Sequence, residues 1–465
     1  MEYTILGLVL MIIMLLYFKV ADRFNIIDKP NQRSSHTEIT LRGGGIIFWF
    51  SALLYFVQHI QNNYFFFTGI TLVSLVSFWD DIQSLSNKIR IGVHFLSITL
   101  IFYDLDLFHL TPIWGVIVSY VLAIGLINAY NFMDGINGIT GLYTLVVMGA
   151  LLYVNIKIQP FTDGMFIKYA MLASLVFLFF NYRKKAKCFA GDVGSIAIAF
   201  WIIYLLLKLI LLTETLIWLL FLAVYGVDAV CTILHRLYLK QNIFEAHRLH
   251  LYQVLSNEYN IQHRVVSLLY AIVQAGISFL VIFLYHKVQD TLVFLIVILP
   301  LLLLYSSKFY LLNKSNLRLN HGVEPKIIQG GKFSDHRGSI SYVNDFSFVG
   351  IERFYIISNS YENPIRAWQG HKLDTKNFYC LSGSFNIHFI KIDNWENPSK
   401  DLTIETVFVS ESDSKIVHIP AGYANAVESL DENSKLISFS TLPLSNVSED
   451  DVRYPSDYWH INNGQ

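Results

Sequence analysis

The stretch Asn128–Gly138 reads Asn-Ala-Tyr-Asn-Phe-Met-Asp-Gly-Ile-Asn-Gly and separates two apolar runs, roughly 112–128 and 140–156. Each run is long enough to approach the thickness of a bilayer. A polar, glycine-punctuated turn beside hydrocarbon is costly unless it lines a wet site. Asn128, Asn131, Asp134 and Asn137 supply amide donors and acceptors and one negative charge. Their spacing of three and six puts them on one side if this end is helical; the alternative is an ordinary amide-rich turn. The glycines let the backbone bend and come close to a ligand.

Outward from this turn the chain stays apolar. Of 465 residues 54% are hydrophobic and 15% charged, too little charge for a soluble protein of this size. We expect about eleven transmembrane helices, near 3–20, 44–58, 64–79, 91–103, 112–128, 140–156, 166–182, 194–212, 216–234, 265–285 and 291–310. The first run lacks a basic flank and a small-residue cleavage site, so it reads as a retained span. Loops after odd-numbered spans hold Lys19, Arg23, Lys29, Arg33, Arg42, Lys88 and Arg90. They continue with Arg183, Lys184, Lys185, Lys187, Arg236, Lys240, Arg248 and Arg264. Even-numbered loops hold little beyond Lys157 and Lys287. The basic side is therefore expected in the cytoplasm, the N-terminus outside, and everything after about residue 310 inside.

Composition shifts near residue 308. Residues 1–310 read as a membrane domain, 311–326 as a polar linker and 327–465 as a cytoplasmic all-β domain. Alternating runs such as Phe354–Ile357, Phe378–Leu381, Glu405–Val409 and Lys435–Phe439, separated by turn residues, predict a sandwich or barrel. The net charge of -1 gives no reason to expect nucleic acid. Three scattered cysteines, Cys188, Cys231 and Cys380, build neither a disulfide framework nor a zinc site.

Five polar clusters fall on the expected cytoplasmic side. Arg33, Ser34, Ser35 and His36 precede Arg42-Gly43-Gly44-Gly45, where bare backbone N–H groups suit an oxyanion; the plain alternative is a basic loop near lipid headgroups. Asp80-Asp81 ends the third span at the negative end of the helix dipole, a place that asks for a compensating cation. The turn at Asn128–Asn137 is the third. Gly191-Asp192-Val-Gly194-Ser195 follows four basic residues; Asp192 either caps a helix or binds a metal beside a diphosphate. Glu245-Ala-His247-Arg248-Leu-His250 holds two histidines three apart, fit to hydrogen-bond a phosphate or simply exposed. Asp228 lies inside the ninth span, where an ionisable group is functional or paired. The set holds acids, amides, cations and histidines. Mg²⁺-assisted transfer involving phosphate uses such a set.

These residues resemble the polyprenyl-phosphate N-acetylhexosamine-1-phosphate transferase family, glycosyltransferase family 4. The matching pieces are Asp28-x-Pro-Asn-x-Arg-Ser-Ser-His36, Arg42-Gly-Gly-Gly45, Asp80-Asp81 and Asn128-x-x-Asn-x-x-Asp-Gly135. Phe189-x-Gly-Asp-x-Gly-Ser195 and Ala246-His-Arg-x-His-Leu-Tyr-Gln253 complete them. They look most like the branch that starts O-antigen or similar surface glycans in the bacterial inner membrane. The resemblance implies transfer of a sugar 1-phosphate from a UDP-N-acetyl amino sugar to undecaprenyl phosphate, with UMP leaving. It implies Mg²⁺, with Mn²⁺ as a substitute, on Asp192 and Asp80. Asp80 or Asp81 would also deprotonate the lipid phosphate, Asn128, Asn131 and Asp134 would hold the nucleotide, and His247 and His250 the phosphates. Asn137 departs from the family, many members of which carry Asp there.

Asp335-x-Arg-Gly338, Arg366-Ala-Trp-Gln369-Gly-His371-Lys372, Gly383-Ser384 and Ile419-Pro-Ala-Gly-Tyr-Ala-Asn425 resemble the cupin-like (jelly-roll) dTDP-4-keto-6-deoxyhexose epimerases and ketoisomerases. Gln369 stands where ketoisomerases have His, and Asn425 where metal cupins have a later His, so no metal is expected there. The resemblance implies a dTDP-sugar partner and His371 as the candidate base, or binding without catalysis. A homodimer is a further expectation. From another class, a transporter or lipid flippase with a cytoplasmic sensor domain remains the alternative. It requires ionisable groups near mid-bilayer on several spans, and the chain lacks an internal repeat.

Overall fold

A computed structural model of the chain describes residues 2–28, 40–60, 63–83, 85–239, 248–259, 261–320, 324–346, 348, 350–359, 364–444, 447 and 450–461. Two compact units divide it, Met1–Leu311 and Leu312–Gln465.

The first unit is a helix bundle: α1 (Glu2–Arg23), α2 (Ile46–Gln58), α3 (Tyr64–Ile82), α4 (Asn87–Asp104), α5 (Leu107–Leu110), α6 (Ile113–Phe132), α7 (Ile139–Lys157), α8 (Gly164–Asn181) and α9 (Gly191–Thr213). A 3₁₀ segment, Leu216–Leu222, leads into α10 (Ala223–Tyr238); α11 (Leu251–Gln253), α12 (His263–Leu284) and α13 (Asp290–Asn320) follow. Among the described residues nine helices are long and apolar enough to cross a membrane. The other two expected spans are helical but fall short for physical reasons. α2 has 13 residues, and α4 carries Lys88, Arg90 and Asp104. The protein is a multi-pass membrane protein.

α9 is apolar all round and lies at the centre, against α3, α6 and α2, as a helix without a polar face must. Two thirds of its span is buried (67%), against 28% for α1 and α6. Exposed Ile113, Trp114, Val121, Phe279 and Leu303 have hydrocarbon as their natural surroundings. A two-residue ladder, β1 (Ile27–Asp28) with β2 (Thr40–Leu41), ties the ends of the first loop together. Leu41 bridges to Cys188 just before α9.

α13 runs on to Asn320, so the segment expected to start a polar linker is helical over most of its length. The residues Ser306, Ser307, Lys314 and Ser315 are polar but not helix-breaking, and periodicity of polarity alone could not tell a helix exit from a linker.

The second unit is all β. Its strands are β3 (Lys326–Gln329), β4 (Gly331–Asp335), β5 (Gly338–Tyr342), β6 (Arg353–Ile357), β7 (Ile365–His371), β8 (Lys376–Ser382), β9 (Ser384–Lys391), β10 (Glu405–Ser410), β11 (Lys415–Ile419), β12 (Tyr423–Ser429), β13 (Lys435–Ser440) and β14 (Val452–Arg453). Two five-stranded antiparallel sheets form, β10-β9-β12-β7-β14 and β3-β11-β8-β13-β6, with β4–β5 as a separate hairpin. Phe378, Phe385, Ile387, Phe389, Val417, Tyr423 and Leu436 fill the space between the sheets. Alternate residues Ile390, Ala424 and Ala426 belong to a second cluster with Trp368 and Trp459. In β9 and β12 the period of two thus places the two faces of one strand in different cores. This is the expected cupin-like, jelly-roll class.

Candidate active site

Two loops and three helix ends of the first unit meet at one place. α3 ends on Asp80-Asp81 and α9 begins at Gly191. Asp81 accepts hydrogen bonds from the backbone N–H groups of Asp192 (2.9 Å) and Val193 (3.1 Å). The carboxylate therefore sits on the positive end of the α9 dipole, which offsets its unfavourable place at the end of α3. Gly191 has φ +70°, and a Cβ there would collide with Asp81 Oδ2, so the turn requires glycine. Arg42, at the exit of the ladder, reaches Asp81 with Nε (2.7 Å) and Asp192 with a terminal nitrogen (3.4 Å). Arg90, from the first turns of α4, bridges Asp80 (3.0 Å) and Asp192 (3.1 Å). Burial works against the Arg42 charge, but Asp81, Asp192 and Asp28 outweigh it and raise its pKa.

The turn after α6 lies alongside. Asn131 Oδ1 accepts from Ser195 Oγ (3.3 Å), which joins the end of α6 to the first turn of α9. Asp134 accepts from Thr140 Oγ1 (2.5 Å). Burial pushes the Asp134 carboxyl up to about 8, against the Thr140 hydrogen bond; Asp192 and Asp81 push the same way and Arg42 opposes. Asn128 donates to Ile124 O within its own helix (2.9 Å). The Asn137 side-chain amide donates to Arg183 O (3.0 Å) and its backbone carbonyl accepts from Ser267 Oγ (2.8 Å), so this residue braces the turn.

Asp228 faces a separate polar knot. It accepts from His250 Nδ1 (3.2 Å), Leu251 N (3.1 Å), Thr232 Oγ1 (3.2 Å) and Tyr270 Oη (2.7 Å). This is the paired outcome, with His250 as the cation-capable partner. Lys308, fully buried, donates to Tyr305 Oη (2.5 Å) and Thr232 Oγ1 (3.3 Å). Tyr252 Oη donates to Phe132 O (2.9 Å), which links the His250 segment to the end of α6. Arg33, Ser34, Ser35, His36 and His247 lie outside the described residues. Arg90 is the side chain that motif reading missed; its only sequence signal was being a cation in a basic loop.

Three carboxylates and no soft donors make a set suited to a hard divalent cation such as Mg²⁺. Asp80, Asp81 and Asp192 share two guanidiniums and one helix N-terminus, so three negative charges face two positive ones in one cluster that keeps a net negative charge, rather than three separate caps.

Residues 63–210 match the model of glycosyl transferase family 4. This covers α3 through most of α9 and bears out, for that part, the resemblance carried by the motifs. An undecaprenyl-phosphate alpha-N-acetylglucosaminyl 1-phosphate transferase of Escherichia coli O157:H7 is 29% identical over 215 residues, 41% of this chain and 57% of that protein. One from Yersinia pestis is 27% identical over 210 residues. A phospho-N-acetylmuramoyl-pentapeptide-transferase of Petrotoga mobilis is 30% identical over 181 residues, 33% of this chain and 54% of that protein. The chain thus spans just over half the length of these curated relatives. For the second unit, a 3,4-ketoisomerase of Thermoanaerobacterium thermosaccharolyticum is 18% identical, with a TM-score of 0.24, over 30% of this chain and 93% of that one. A dTDP-4-dehydrorhamnose 3,5-epimerase of Sulfolobus tokodaii is 17% identical, TM-score 0.26, over 31% and 84%.

In that unit His371 ends β7, buried, with Nδ1 3.5 Å from Asp450 Oδ2. Asp450 accepts from the backbone N–H groups of Lys372, Leu373 and Asp374 (2.8, 2.8 and 2.9 Å). Burial raises its carboxyl, but His371 and those N–H groups outweigh it and hold it below the usual range. Gln369 donates to Asp451 (2.9 Å), and Asn425 donates to the Gln369 carbonyl (3.2 Å). Arg366 and Lys372 are exposed. His371, Asp374 and Asp450 stand within 4.8 Å of one another. Asp374 already takes Lys376 Nζ (2.7 Å), with Arg353 at 3.7 Å, so this set is charge-balanced and fits a cation poorly. Asp450 escaped sequence reading because it lies 79 positions from its partner in a segment without a motif.

Proposed function

We propose that the first unit transfers an N-acetylhexosamine 1-phosphate from a UDP-sugar to undecaprenyl phosphate at the cytoplasmic face of a bacterial inner membrane, the opening step of a surface glycan. The observation that carries the reading is the shared cluster of Asp80, Asp81 and Asp192 with Arg42 and Arg90, beside Asn131 and Asp134. An oxygen of the lipid phosphate attacks the donor phosphorus that bears the sugar; a new P–O bond forms as the bond to UMP breaks. Asp192 and Asp80 are the candidate holders of Mg²⁺, or Mn²⁺ in its place, and such an ion would neutralise charge building on the phosphoryl oxygens. Asp80 or Asp81 is the candidate to accept the acceptor's proton; Asp81, its side chain fully buried and held by Arg42 and two backbone N–H groups, would have to give up one of these partners to do so. The Asp228 contact with His250 Nδ1 (3.2 Å) supports a tautomer that would leave Nε2 for a phosphate; Asp134 and Asn131 are the candidates to bind the nucleotide. Incubation of the purified chain with UDP-N-acetyl sugars, undecaprenyl phosphate and Mg²⁺ tests this. Absence of UMP with every plausible donor would sink it.

For the second unit, the buried pair His371–Asp450 favours a proton-transfer role on a dTDP-4-keto-6-deoxy sugar. Full-length protein with that sugar in D₂O should place deuterium at C3. Binding without exchange would leave a recognition module. The transporter alternative asks for ionisable groups dispersed along several spans; Asp228 and Lys308 instead share one hydrogen-bonded knot.

A further inference from the structure

The carboxylate oxygens of the membrane-domain cluster all have donors. Asp80 takes the N–H of Leu85 (2.6 Å) and Arg90 (3.0 Å). Asp81 takes Arg42 (2.7 Å) and the N–H groups of Asp192 (2.9 Å) and Val193 (3.1 Å). Asp192 takes Arg42 (3.4 Å) and Arg90 (3.1 Å). The backbone donors cannot leave without undoing a turn or a helix start. The two arginines can swing. Of these, Arg90 joins Asp80 to Asp192; its side chain is 23% exposed against 33% for Arg42, so its bridging place and not its exposure singles it out. Arg42, by contrast, is anchored by the 2.7 Å bond to fully buried Asp81.

We infer that Arg90 is a placeholder: its guanidinium takes an oxygen of Asp80 (3.0 Å) and one of Asp192 (3.1 Å), and a divalent cation must displace it to reach both carboxylates. This rests on Asp192 and Asp80 being the metal-holding pair. Asp80 and Asp192, half-buried with side chains 9% and 14% exposed, repel each other without a cation between them, so taking the guanidinium away carries a cost. The guanidinium holds the two carboxylates together, and it competes with a divalent ion for the same oxygens. Arg90 is thus a positioning residue that sets metal affinity.

The two consequences have opposite signs, which separates them from a merely structural role. Mn²⁺ binding to the full-length protein in nanodiscs, without substrate, can be read from the free-ion EPR signal. Arg90→Gln should bind Mn²⁺ about tenfold tighter than the parent, a difference of about 1.4 kcal/mol. Arg90→Lys keeps the charge but loses the two-pronged bridge, and should also bind tighter. Both variants should melt below the parent in EDTA and match it at saturating Mn²⁺. Lys88→Gln removes a neighbouring exposed charge on the same helix and should leave Mn²⁺ affinity within about twofold. Unchanged or weaker Mn²⁺ binding in both Arg90 variants overturns the inference, as does equal tightening in Lys88→Gln. If the parent binds no Mn²⁺, or Asp192→Asn binds it equally well, the metal assignment itself falls and the inference with it.

Discussion

Asp192 meets several demands at once. It opens α9, its own N–H serves Asp81, and its carboxylate meets both Arg42 and Arg90. Asp192→Asn keeps the helix start and removes the charge. UMP release should drop by more than about 100-fold, because even outer partners of metal ligands cost 10- to 100-fold; substantial remaining activity would reject Asp192 as a metal ligand. Asp228 acts at one remove, through His250. Asp228→Asn should lower UMP release about tenfold, and steady-state kinetics should show the loss without loss of Mn²⁺ binding. In the second unit His418 pairs with Asn377 (2.7 Å), and burial, helped by Lys326, lowers its pKa to about 4. The unfolded chain takes up a proton near the ordinary value of 6.5 and the folded one only near 4. The unfolded state therefore binds more protons between these values, and stability falls as pH drops through that window. His418→Gln should flatten the decline; melting of the full-length protein at pH 7 and pH 5 checks it.

At the scale of elements, the site depends on how closely α2 and α9 begin. A Cβ on Gly45 would collide with the backbone of Gly194, and Gly45 N donates to Ala190 O (3.0 Å). This contact puts Arg42 over the first turn of α9. Gly45→Ala should cost about 1–3 kcal/mol, as overpacking does, and depress UMP release; a variant with parental melting and activity would show that the two helix starts can separate freely. The acids, the amide-rich turn and the basic loops were legible in the sequence because polar residues between apolar spans are conspicuous. Their pairing was not. Asp81 with Arg42 joins positions 39 apart, and Asp192 with Arg90 joins positions 102 apart. No local periodicity reports such a pairing. The same distance in sequence hid Asp450 from His371. Asn128 and Asn137 looked equivalent to Asn131, yet one is bonded to its own helix and the other braces the turn.

For the whole molecule, the polar cluster and the His250 knot lie within Met1–Leu311, and the His371–Asp450 pair within Leu312–Gln465. The two chemistries should therefore be separable in the intact protein. His371→Asn should abolish deuterium exchange at C3 of a dTDP-4-keto-6-deoxy sugar while UMP release stays within about twofold, since each site is built within its own compact unit; loss of both would tie the units together. The sequence by itself determined the class of each unit. Spans follow from runs of apolar residues that water rejects, and strands follow from a period of two. It also marked which residue types were available for chemistry. Tertiary structure alone decided which charges neutralise each other, because carboxylate and guanidinium attract through space and not along the chain. It also decided that α13 continues past the last apolar turn. The turn at Asn128–Gly138 was conspicuous for its polarity, but its place in the site was settled by the Asn131–Ser195 contact and by the packing that brings α9 against α6.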